Sequence, residues 1–344
     1  MSTKVLVAMS GGVDSSVTLL LLKERGYDCI GAMMKLFDID DFDDARNIAA
    51  SLDVPFNVYD FSEDFKKQVI DRFVDAYIIG KTPNPCVICN RFLKFDKLIA
   101  CARDSGAEYY ATGHYARIEY DEKSGRFLLK KALDESKDQS YVLYNMTQDQ
   151  LSNTLFPLGE YSKSQVREIA ARFDFDNANK RDSQDICFVR DGDYAGFIEE
   201  YSGKQFESGN FIDINGNVLG RHNGLIRYTV GQRKGLGIAL NKPMYVQSKN
   251  VLDNTVTLCE DHELYSNSLN AFDFNWIVYD GAPDSSIRVK AKIRYAHSPE
   301  RATVTPTSDN TVLVEFDEPQ RAIAKGQAVV LYDGDIVVGG GTIG

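Results

Sequence analysis

The sequence predicts an α/β protein with a parallel sheet in its N-terminal part and a small antiparallel β-barrel at its C-terminal end. Through about residue 200, short apolar runs alternate with stretches of helical periodicity, which is the pattern of a parallel α/β sheet. From about Phe206 the helical periodicity fades, and short strands separated by Gly, Asn and Asp turns replace it. From about Ser268 onward, short alternating segments recur at regular spacing, which favours a barrel.

The first strand–helix unit is the most informative stretch of the chain. Lys4–Ala8 is an apolar run of strand length, and 17–25 has helical length and is followed by Gly26, a good helix stop. Between them, two glycines remove Cβ atoms where a ligand could approach the backbone, and the first N–H groups of the helix lack intrahelical partners. We therefore predict a phosphate-binding turn, the alternative being an ordinary tight turn. It is not a Walker loop, because no Gly-Lys-Ser/Thr follows.

The other elements are predicted from the same periodicities. Strands are expected at 28–36, 54–61 and 109–112, and helices at 45–52, 62–77, 90–104 and 162–173. Ser62 is expected to cap the second of these helices, and Ser162 with Gln165 forms a capping box for the last. Hairpins are expected around 215–216 and 253–254, and barrel strands at 288–295, 302–307, 311–316, 328–332 and 336–340.

The overall charge disfavours a nucleic-acid partner, but its distribution points the other way. The 344 residues carry a formal net charge of −11, which opposes binding to phosphates. Strand side chains alternate, so one face of a predicted strand carries four basic residues: Arg288, Lys290, Lys292 and Arg294. Such a face suits nucleic-acid phosphates, and a merely solvated face is the alternative.

Six cysteines are expected to stay reduced. No apolar run approaches the roughly 20 residues of a membrane span, and the N-terminus leads directly into a predicted strand, so we expect a cytoplasmic protein without structural disulfides. Cys86 and Cys89 form a Cys-x-x-Cys pair, a spacing shared by metal sites and redox pairs. Cys187 follows a segment too polar for a buried structural cysteine. An inert core residue is the alternative for each, and we expect it for Cys29, Cys101 and Cys259.

Two further polar stretches are candidate ligand contacts. Gly113 and His114 follow a predicted strand and should lie near the ligand edge of the sheet, with a buried structural histidine as the alternative for His114. Residues 137–141, Lys-Asp-Gln-Ser-Tyr, form a polar loop between apolar segments, which would otherwise be a solvated turn.

In their order along the chain, these motifs are similar to those of the tRNA-specific 2-thiouridylase family of the PP-loop ATP pyrophosphatase superfamily. The similar stretches are Ser-Gly-Gly-Val-Asp-Ser, Pro-Asn-Pro-x-x-x-Cys-Asn-Arg with Lys94-Phe95, Thr-Gly-His-Tyr, Lys-Asp-Gln-Ser-Tyr, Asp-Ser-Gln-Asp-Ile-Cys-Phe, Tyr-Thr-Val-Gly-Gln-Arg-Lys-Gly-Leu, Pro-Gln-Arg and Gly-Gly-Gly. The resemblance implies a parallel-sheet PP-loop domain that binds ATP at 1–203, a small central domain at 204–265 and a C-terminal antiparallel β-barrel that binds tRNA at 266–344.

The resemblance also implies a reaction, in which the wobble uridine of tRNA exchanges its C2 oxygen for sulfur. That oxygen leaves poorly, and adenylation with ATP and Mg²⁺ lets it leave as AMP, which accounts for a PP-loop. Sulfur is delivered as a persulfide on Cys187, with Cys89 as the second catalytic thiol. The implied partners are tRNA and a sulfur donor, either a cysteine desulfurase or a sulfur-relay protein.

Binding residues follow from the same resemblance. The expected ATP-binding residues are Ala8, Met9, Ser10, Gly11, Gly12, Val13, Asp14, Ser15, Met34 and Gly113. The residues expected to contact tRNA or the target base are Asn84, Pro85, Cys86, Lys137, Asp138, Gln139, Arg294 and Tyr295.

Two features depart from the family pattern. Many members have Asp where this chain has Cys86, and the thiols of Cys86, Cys89 and Cys187 could instead hold a [4Fe-4S] cluster with one open iron; no other metal site is expected. The family also has a longer insertion in place of the acidic stretch 38–44, which leaves the contacts with a sulfur donor open. Two other functions remain as alternatives: another PP-loop adenylating enzyme of the amidotransferase type, and a tRNA-binding protein without catalysis.

Overall fold

The computed structural model describes residues 2–36, 42–173, 175, 185–189, 192–308 and 310–344. The helices are α1 Val13–Glu24, α2 Asp43–Ser51, α3 Ser62–Phe65, α4 Asp71–Ile78, α5 Pro85–Cys89, α6 Leu98–Asp104, α7 Gln148–Ser152, α8 Lys163–Arg172 and α9 Tyr194–Ser202. The strands are β1 Lys4–Ala8, β2 Asp28–Lys35, β3 Phe56–Asp60, β4 Tyr109–Ala111, β5 Ala116–Asp121, β6 Arg126–Lys131, β7 Thr154–Leu155, β8 Gly209–Ile212, β9 Val218–His222, β10 Tyr245–Asn250, β11 Thr255–Cys259, β12 Tyr265–Trp276, β13 Ile287–Lys292, β14 Glu300–Ser308, β15 Thr311–Arg321, β16 Ala328–Asp333 and β17 Ile336–Ile343. No helix in these ranges is long and apolar enough to cross a bilayer.

The N-terminal part is a five-stranded parallel sheet with the order β3-β2-β1-β4-β7. Val5 and Val7 pack into one apolar cluster with α1, whereas Leu6 packs into a second cluster with α3 to α6. Helices therefore cover both faces of the sheet, and the predicted α/β class is confirmed. The two-residue strand β7 was not predicted, because it is too short to show a period.

Two helical runs contain π-helical segments, which the sequence analysis did not predict. Lys66–Ile70 links α3 to α4, and Asn90–Lys97 links α5 to α6. The expected cap at Ser62 is wrong: Ser62 already belongs to α3, and its hydroxyl donates to Asp60 Oδ1 at 2.7 Å instead. The run that was expected to begin at residue 90 begins five residues earlier, at Pro85.

The central part is a four-stranded sheet with the order β10-β11-β8-β9. Both predicted hairpins are present, β8–β9 and β10–β11, and both pairs are antiparallel. Their turns need a left-handed residue, supplied by Gly216 with φ of +85° and Asn254 with φ of +49°. Phe211, Val246 and Val256 of this sheet are buried together in one apolar cluster.

The C-terminal part is the predicted barrel, built from β12 to β17. Antiparallel pairing runs in the order β12-β15-β14-β13-β16-β17, and β12 also pairs with β17, which closes the barrel. Strands β14 to β17 are longer than predicted, and the long strand β12 was not predicted separately. The strand predicted at 288–295 is shorter: β13 ends at Lys292, so Arg294 lies beyond it.

A hairpin from the N-terminal part, β5–β6, joins the barrel sheet. Lys130 of β6 pairs with Ile336 of β17, and Arg117 and Lys130 both form ion pairs with Asp335, at 2.7 and 3.4 Å. Gly159 permits the close packing at the base of this hairpin, because a Cβ there would lie 1.9 Å from a β5 carbonyl oxygen. The barrel is therefore tied directly to the parallel-sheet part.

Candidate nucleotide and thiol site

The loop between β1 and α1, the phosphate loop, has a backbone that only small residues permit. The Met9 N–H donates to a β2 carbonyl at 2.7 Å. Gly11 has a φ of +68°, and a Cβ there would lie 3.2 Å from the Asp44 Cβ. Gly12 is extended and is the N-cap residue of α1, without a side-chain hydrogen bond to the helix. The start of α1 thus combines backbone donors with the positive end of a helix dipole, an arrangement that suits phosphate.

Two serine hydroxyls shape this loop. The Ser15 hydroxyl donates to the Gly12 carbonyl at 3.0 Å and accepts from the Ser10 N–H at 3.1 Å. The Ser10 hydroxyl lies 3.3 Å from the Ser15 hydroxyl oxygen. Ala8 ends β1 and Val13 begins α1, so Ser10 lies in the loop and Ser15 in the first turn of the helix. Both hydroxyls are therefore near the start of α1, where they can turn toward an anion.

Asp14 is bound by two residues that the sequence analysis did not identify. Lys163 Nζ donates to both carboxylate oxygens at 2.8 Å, and the Tyr115 hydroxyl donates to Oδ1 at 2.8 Å. Lys163 begins α8, where Ser162 and Gln165 form the capping box that was predicted. The sequence signal for Lys163 was its place directly after the N-cap, but its partner is defined only by the tertiary fold.

Gly113 and His114 lie directly behind the phosphate loop. A Cβ on Gly113 would lie 3.0 Å from the backbone of Asp14. His114 is 9% exposed, and its Nδ1 lies 2.7 Å from Thr112 Oγ1. Burial lowers the pKa of His114 well below its ordinary value, and the charge of Lys94 lowers it further. His114 is therefore a neutral structural histidine, the alternative considered from the sequence.

Met34 is the remaining residue expected to contact a nucleotide. It lies near the end of β2 and is partly buried against the apolar cluster that contains Leu6. Because β2 neighbours β1, Met34 and the phosphate loop share the carboxyl edge of the parallel sheet. The fold thus brings the expected ATP-binding residues to one edge, and their individual contacts stay a prediction.

Cys86 and Cys89 lie on α5, a helix that the sequence analysis did not predict. Asn84 caps α5, since its Oδ1 accepts from the N–H groups of Cys86 at 3.1 Å and Val87 at 3.4 Å. Pro85 occupies the first turn, where its fixed φ suits a helix and its missing N–H costs nothing. Residues three apart share a helix face, so the two cysteines lie on the same side, with Cys86 exposed and Cys89 half-buried.

Cys187, about 100 residues further along the chain, is brought to the same place. Burial raises the pKa of Cys89, while Lys94 opposes the rise and Cys86 adds to it. Cys187 is exposed as a residue, yet desolvation of its sulfur raises its pKa to about 11, and Cys89 and Cys86 add to the rise while Lys94 opposes it. The three thiols and Lys94 therefore lie within electrostatic reach of one another, and all three are free thiols.

The three thiols do not by themselves form a metal centre. Within the described ranges, no group of three or more His, Cys, Asp or Glu side chains is arranged to hold a metal ion. Residues 182–184, which precede Cys187 in its motif, lie outside the described residues. Cys29 and Cys259 are buried and Cys101 is half-buried, and all three are free thiols. That they are inert stays a prediction.

Asp138 and Gln139 connect the phosphate loop to the barrel. The buried Asp138 carboxylate accepts from the Ser140 N–H at 3.1 Å and from the Ser140 hydroxyl at 2.8 Å. Gln139 Oε1 accepts from the N–H of Tyr115, the residue whose hydroxyl binds the phosphate-loop carboxylate, at 3.0 Å. The Tyr295 hydroxyl of the barrel donates to the Asp138 carbonyl at 3.2 Å.

Tyr295 also lies close to the thiols. Burial raises its pKa, as do the neighbouring Asp138 and Cys86, and it remains 46% exposed. Arg294 donates to the last carbonyl of β15 at 3.0 Å, and Lys137 is half-buried. Tyr295 therefore links Asp138 to the neighbourhood of Cys86, and contact of the expected residues with a target base stays a prediction.

The predicted basic face of strand 288–295 carries fewer free positive charges than the alternation of its side chains suggested. Lys290 is exposed as predicted, and no carboxylate pairs with it among the described residues. Arg288, however, makes hydrogen bonds of 2.8 and 2.6 Å to Asp317, which neutralises its charge. Lys292 is half-buried, with Nζ 5.6 Å from each of two tyrosine rings.

Fold and site together define a PP-loop protein with three free thiols, Cys86, Cys89 and Cys187, and an attached β-barrel. Matches to known proteins agree with this class. Three family models cover the chain: the tRNA methyl transferase HUP domain over residues 3–191, the tRNA methyl transferase PRC-barrel domain over 195–260 and the aminomethyltransferase beta-barrel domain over 266–343.

The tRNA-specific 2-thiouridylase MnmA of Clostridioides difficile is 51% identical, over 100% of this chain and 98% of the relative. That of Acetivibrio thermocellus is 50% identical, over 99% of each chain. A solved 4-thiouridine synthetase–RNA complex with bound ATP covers 54% of this chain and 44% of that chain at 18% identity, with a TM-score of 0.36, too weak a likeness to carry an argument. The chain belongs to the tRNA-specific 2-thiouridylase family.

Proposed function

We propose that this protein is an ATP-dependent tRNA sulfurtransferase that replaces the C2 oxygen of the wobble uridine by sulfur. One observation carries the proposal: Lys94 acts on the thiols of Cys89 and Cys187 and also on His114, whose neighbour Gly113 packs against Asp14, in a chain that matches named 2-thiouridylases over its full length. An amidotransferase-type synthetase would need the phosphate loop but would have no use for the paired thiols.

The first step activates the oxygen. The uridine C2 oxygen attacks the α-phosphorus of ATP, pyrophosphate leaves, and the oxygen becomes part of an AMP leaving group. The donors at the start of α1 and the hydroxyls of Ser10 and Ser15 suit the phosphates. Both oxygens of Asp14 already bind Lys163, so Mg²⁺ would be held chiefly through the phosphates of ATP and through water, as is common for this ion.

The second step delivers sulfur. A persulfide on Cys187 attacks C2, the C2–oxygen bond breaks, and AMP leaves with that oxygen. The Cys89 thiolate then attacks the Cys187 sulfur, a disulfide forms between the two residues, and 2-thiouridine is released. An external thiol reductant supplies two electrons to restore both thiols. Cys86 would then adjust the ionisation of the two thiols, or it would take the acid–base role that the resemblance assigns to the Asp found at this position in many family members.

The chemistry requires thiolates, and the resting site disfavours them. A pKa of about 11 at Cys187 leaves only about one thiol in 10⁴ ionised at pH 7. We propose that the persulfide comes ready-made from a donor protein, a cysteine desulfurase or sulfur-relay protein. The Cys187 thiolate attacks the outer sulfur of the donor persulfide and the donor thiolate leaves, so no oxidant is needed, whereas free sulfide and the Cys187 thiol would need a two-electron oxidant to form a persulfide.

A [4Fe-4S] cluster on Cys86, Cys89 and Cys187 has less support. The three thiols are near one another, but the described side chains include no arrangement of three ligands suited to a metal. Anaerobic purification with iron and acid-labile sulfide analysis distinguishes the two mechanisms. An active, iron-free Cys86→Asp variant would favour persulfide transfer, whereas activity only with stoichiometric iron and sulfide would favour the cluster.

We further propose that tRNA lies across the barrel and the thiols, through Arg294, Tyr295 and Lys137. The proposed division of the chain is a PP-loop domain at 1–203, a central domain at 204–265 and a tRNA-binding barrel at 266–344. A cytoplasmic location fits a tRNA substrate and reduced thiols.

The test is formation of 2-thiouridine in tRNA incubated with pure protein, ATP and a persulfide donor, with AMP and pyrophosphate measured in parallel. Asp14→Ala should lower AMP formation at least about 100-fold while tRNA binding survives. Cys89→Ser and Cys187→Ser should block thiolation, and Cys101→Ser is the matched control that should remain active.

Two results would contradict the proposal. Thiolation that persists in both Cys89→Ser and Cys187→Ser would remove the thiols from the reaction. Binding of tRNA with neither AMP formation nor thiolation, under any donor, would point to a tRNA-binding protein without catalysis.

A further inference from the structure

We propose that Lys94 is a positioning residue whose ammonium group lies against the thiols of both Cys89 and Cys187 and favours their anionic forms. The inference rests on the proposed function, because it assigns Lys94 to the two thiols of that reaction. The sequence analysis assigned no function to Lys94, and the phosphate loop does not include it.

The backbone places Lys94 on the thiol side of its helix. Asn90–Lys97 is π-helical, and the Leu98 N–H closes the segment by donating to the Leu93 carbonyl, five residues back. In an α-helix, residues five apart point about 140° away from each other. In π geometry the residue five positions on lies one turn along the same face. The π segment therefore brings Lys94 under Cys89.

Neighbouring side chains fix this orientation. Leu93 and Phe95, on either side of Lys94, are 0% and 1% exposed, so both are anchored in the core. The Phe95 ring lies 5.7 Å from the ring of His114 and 5.8 Å from that of Tyr110. Lys94 itself is half-buried, at the boundary between this core and the thiols.

The groups that face Lys94 identify it as the shared positive charge of the site. Lys94 acts on Cys89, Cys187 and His114, and Cys86 and Tyr110 are the other titratable neighbours of Cys89. Lys94 opposes the rise in the pKa of both Cys89 and Cys187, and among the described residues it is the one cation that acts on both. His114 is neutral, so it supplies no second charge.

A charge between two thiols suits a reaction in which negative charge moves from one sulfur to the other. Persulfide attack needs an anion at Cys187, and release of the product needs an anion at Cys89. A single fixed ammonium group can stabilise each in turn without moving. An α-helical segment would turn this charge away from Cys89.

The experiment measures thiol ionisation directly. Iodoacetamide alkylation of Cys89, Cys187 and Cys101 is followed from pH 6.5 to 10 by peptide mass spectrometry, on the anaerobic full chain without ATP or tRNA. Lys94→Met keeps the length of the side chain and removes its charge. It should slow alkylation of Cys89 and Cys187 at pH 7.5 by about three- to tenfold and shift both profiles to higher pH.

Two matched variants serve as controls. Lys94→Arg keeps the charge and should stay within about twofold of the parent protein at both thiols. Lys97 lies on the same π segment, pairs with Asp64 at 3.1 Å and acts on the pKa of Cys101. Lys97→Met should therefore change the alkylation of Cys101 and leave Cys89 and Cys187 unchanged.

Unchanged profiles for both Cys89 and Cys187 in folded Lys94→Met would overturn the inference, even if thiolation were lost, since Lys94 would then serve ATP or tRNA. Should Lys94→Met fail to fold, Lys94→Gln gives the same readout. The proposed function fails separately, if the parent protein makes no 2-thiouridine while the Lys94 variants still shift the thiol profiles.

Discussion

Asp14 shares its carboxylate between a lysine and a tyrosine that come from distant parts of the chain. Lys163 and Asp14 are 12% and 32% exposed as side chains, so their pair is largely shielded from water. Pairs of this kind contribute little net stability when compared with apolar residues, but removing one partner leaves the other charge uncompensated. Asp14 is held in place before a nucleotide binds, which lowers the conformational entropy that is lost on binding.

We expect Lys163→Met to lower the free energy of unfolding by about 1–3 kcal/mol, because Asp14 loses its partner while partly buried. The Asp14→Ala/Lys163→Met double variant should recover part of this loss. Urea unfolding of the two single variants and the double variant gives the coupling energy. A coupling energy near zero would show that the pair is only a surface contact.

Two buried histidines make stability depend on pH. His222 is fully buried; its Nδ1 accepts from the Gly224 N–H at 3.1 Å and its Nε2 lies 3.1 Å from the Asn254 carbonyl oxygen. Burial lowers the pKa of His222 and, more strongly, that of His114. Below the unfolded value of about 6.5, the unfolded chain binds protons that the folded protein excludes.

Folding stability should therefore be full above about pH 7 and fall as the pH drops below about 6.5, by up to about 1.4 kcal/mol per pH unit for each histidine. Urea midpoints at pH 8, 6.5 and 5.5 measure this. His222→Gln should flatten the dependence relative to the parent protein. A midpoint that is constant from pH 8 to 5.5 would contradict the prediction.

At the scale of elements, α8 depends on its capping box. Ser162 Oγ accepts from the Gln165 N–H at 3.3 Å, and Gln165 Oε1 accepts from the Ser162 N–H at 2.8 Å. Ser162→Ala should cost about 1 kcal/mol of stability and should weaken ATP binding, because Lys163 begins the same turn. The control is Thr147→Ala, which removes the equivalent cap of α7 far from the phosphate loop.

For that pair, chemical denaturation measures stability and isothermal titration measures ATP affinity. Both variants should lose similar stability, and only Ser162→Ala should lose affinity. Equal affinities would show that the cap of α8 does not support Lys163.

Sequence patterns predicted the elements whose signal is local. Apolar runs gave β1 to β4, and alternation gave the barrel strands, because burial of one face imposes a period. The π segments could not be predicted, since they depend on how α4 and α6 pack. The α5 helix had a local signal, Asn84 as N-cap followed by Pro85, that the sequence analysis did not use.

At the scale of the whole molecule, the site is assembled from pieces far apart in sequence. The phosphate loop and the Cys86–Cys89 pair were predicted from local motifs. The contacts of Lys163 with Asp14 and the place of Lys94 beside the thiols were not, because they depend on tertiary packing. Likewise, the charge of Arg288 was overestimated, since its partner Asp317 comes from another strand.

The barrel face predicts how tRNA affinity depends on salt. Lys290→Glu should weaken binding to all tRNAs and reduce the slope of log affinity against log salt by about 0.7–0.9 per lost phosphate contact. Arg288→Gln is the matched control, and its effect should be smaller because Asp317 already neutralises Arg288. An unchanged slope for Lys290→Glu would show that this face is only solvated.

The join between the β5–β6 hairpin and the last strand sets an order of events during synthesis. β6 is made early, but its partner β17 includes almost the last residues of the chain. At about 5–20 residues per second, the ribosome needs on the order of 10–40 s to add the intervening residues. Throughout that interval the edge of β6 that will face β17 has no partner strand. The charges of Arg126, Lys130 and Lys131 discourage this edge from pairing with another nascent chain.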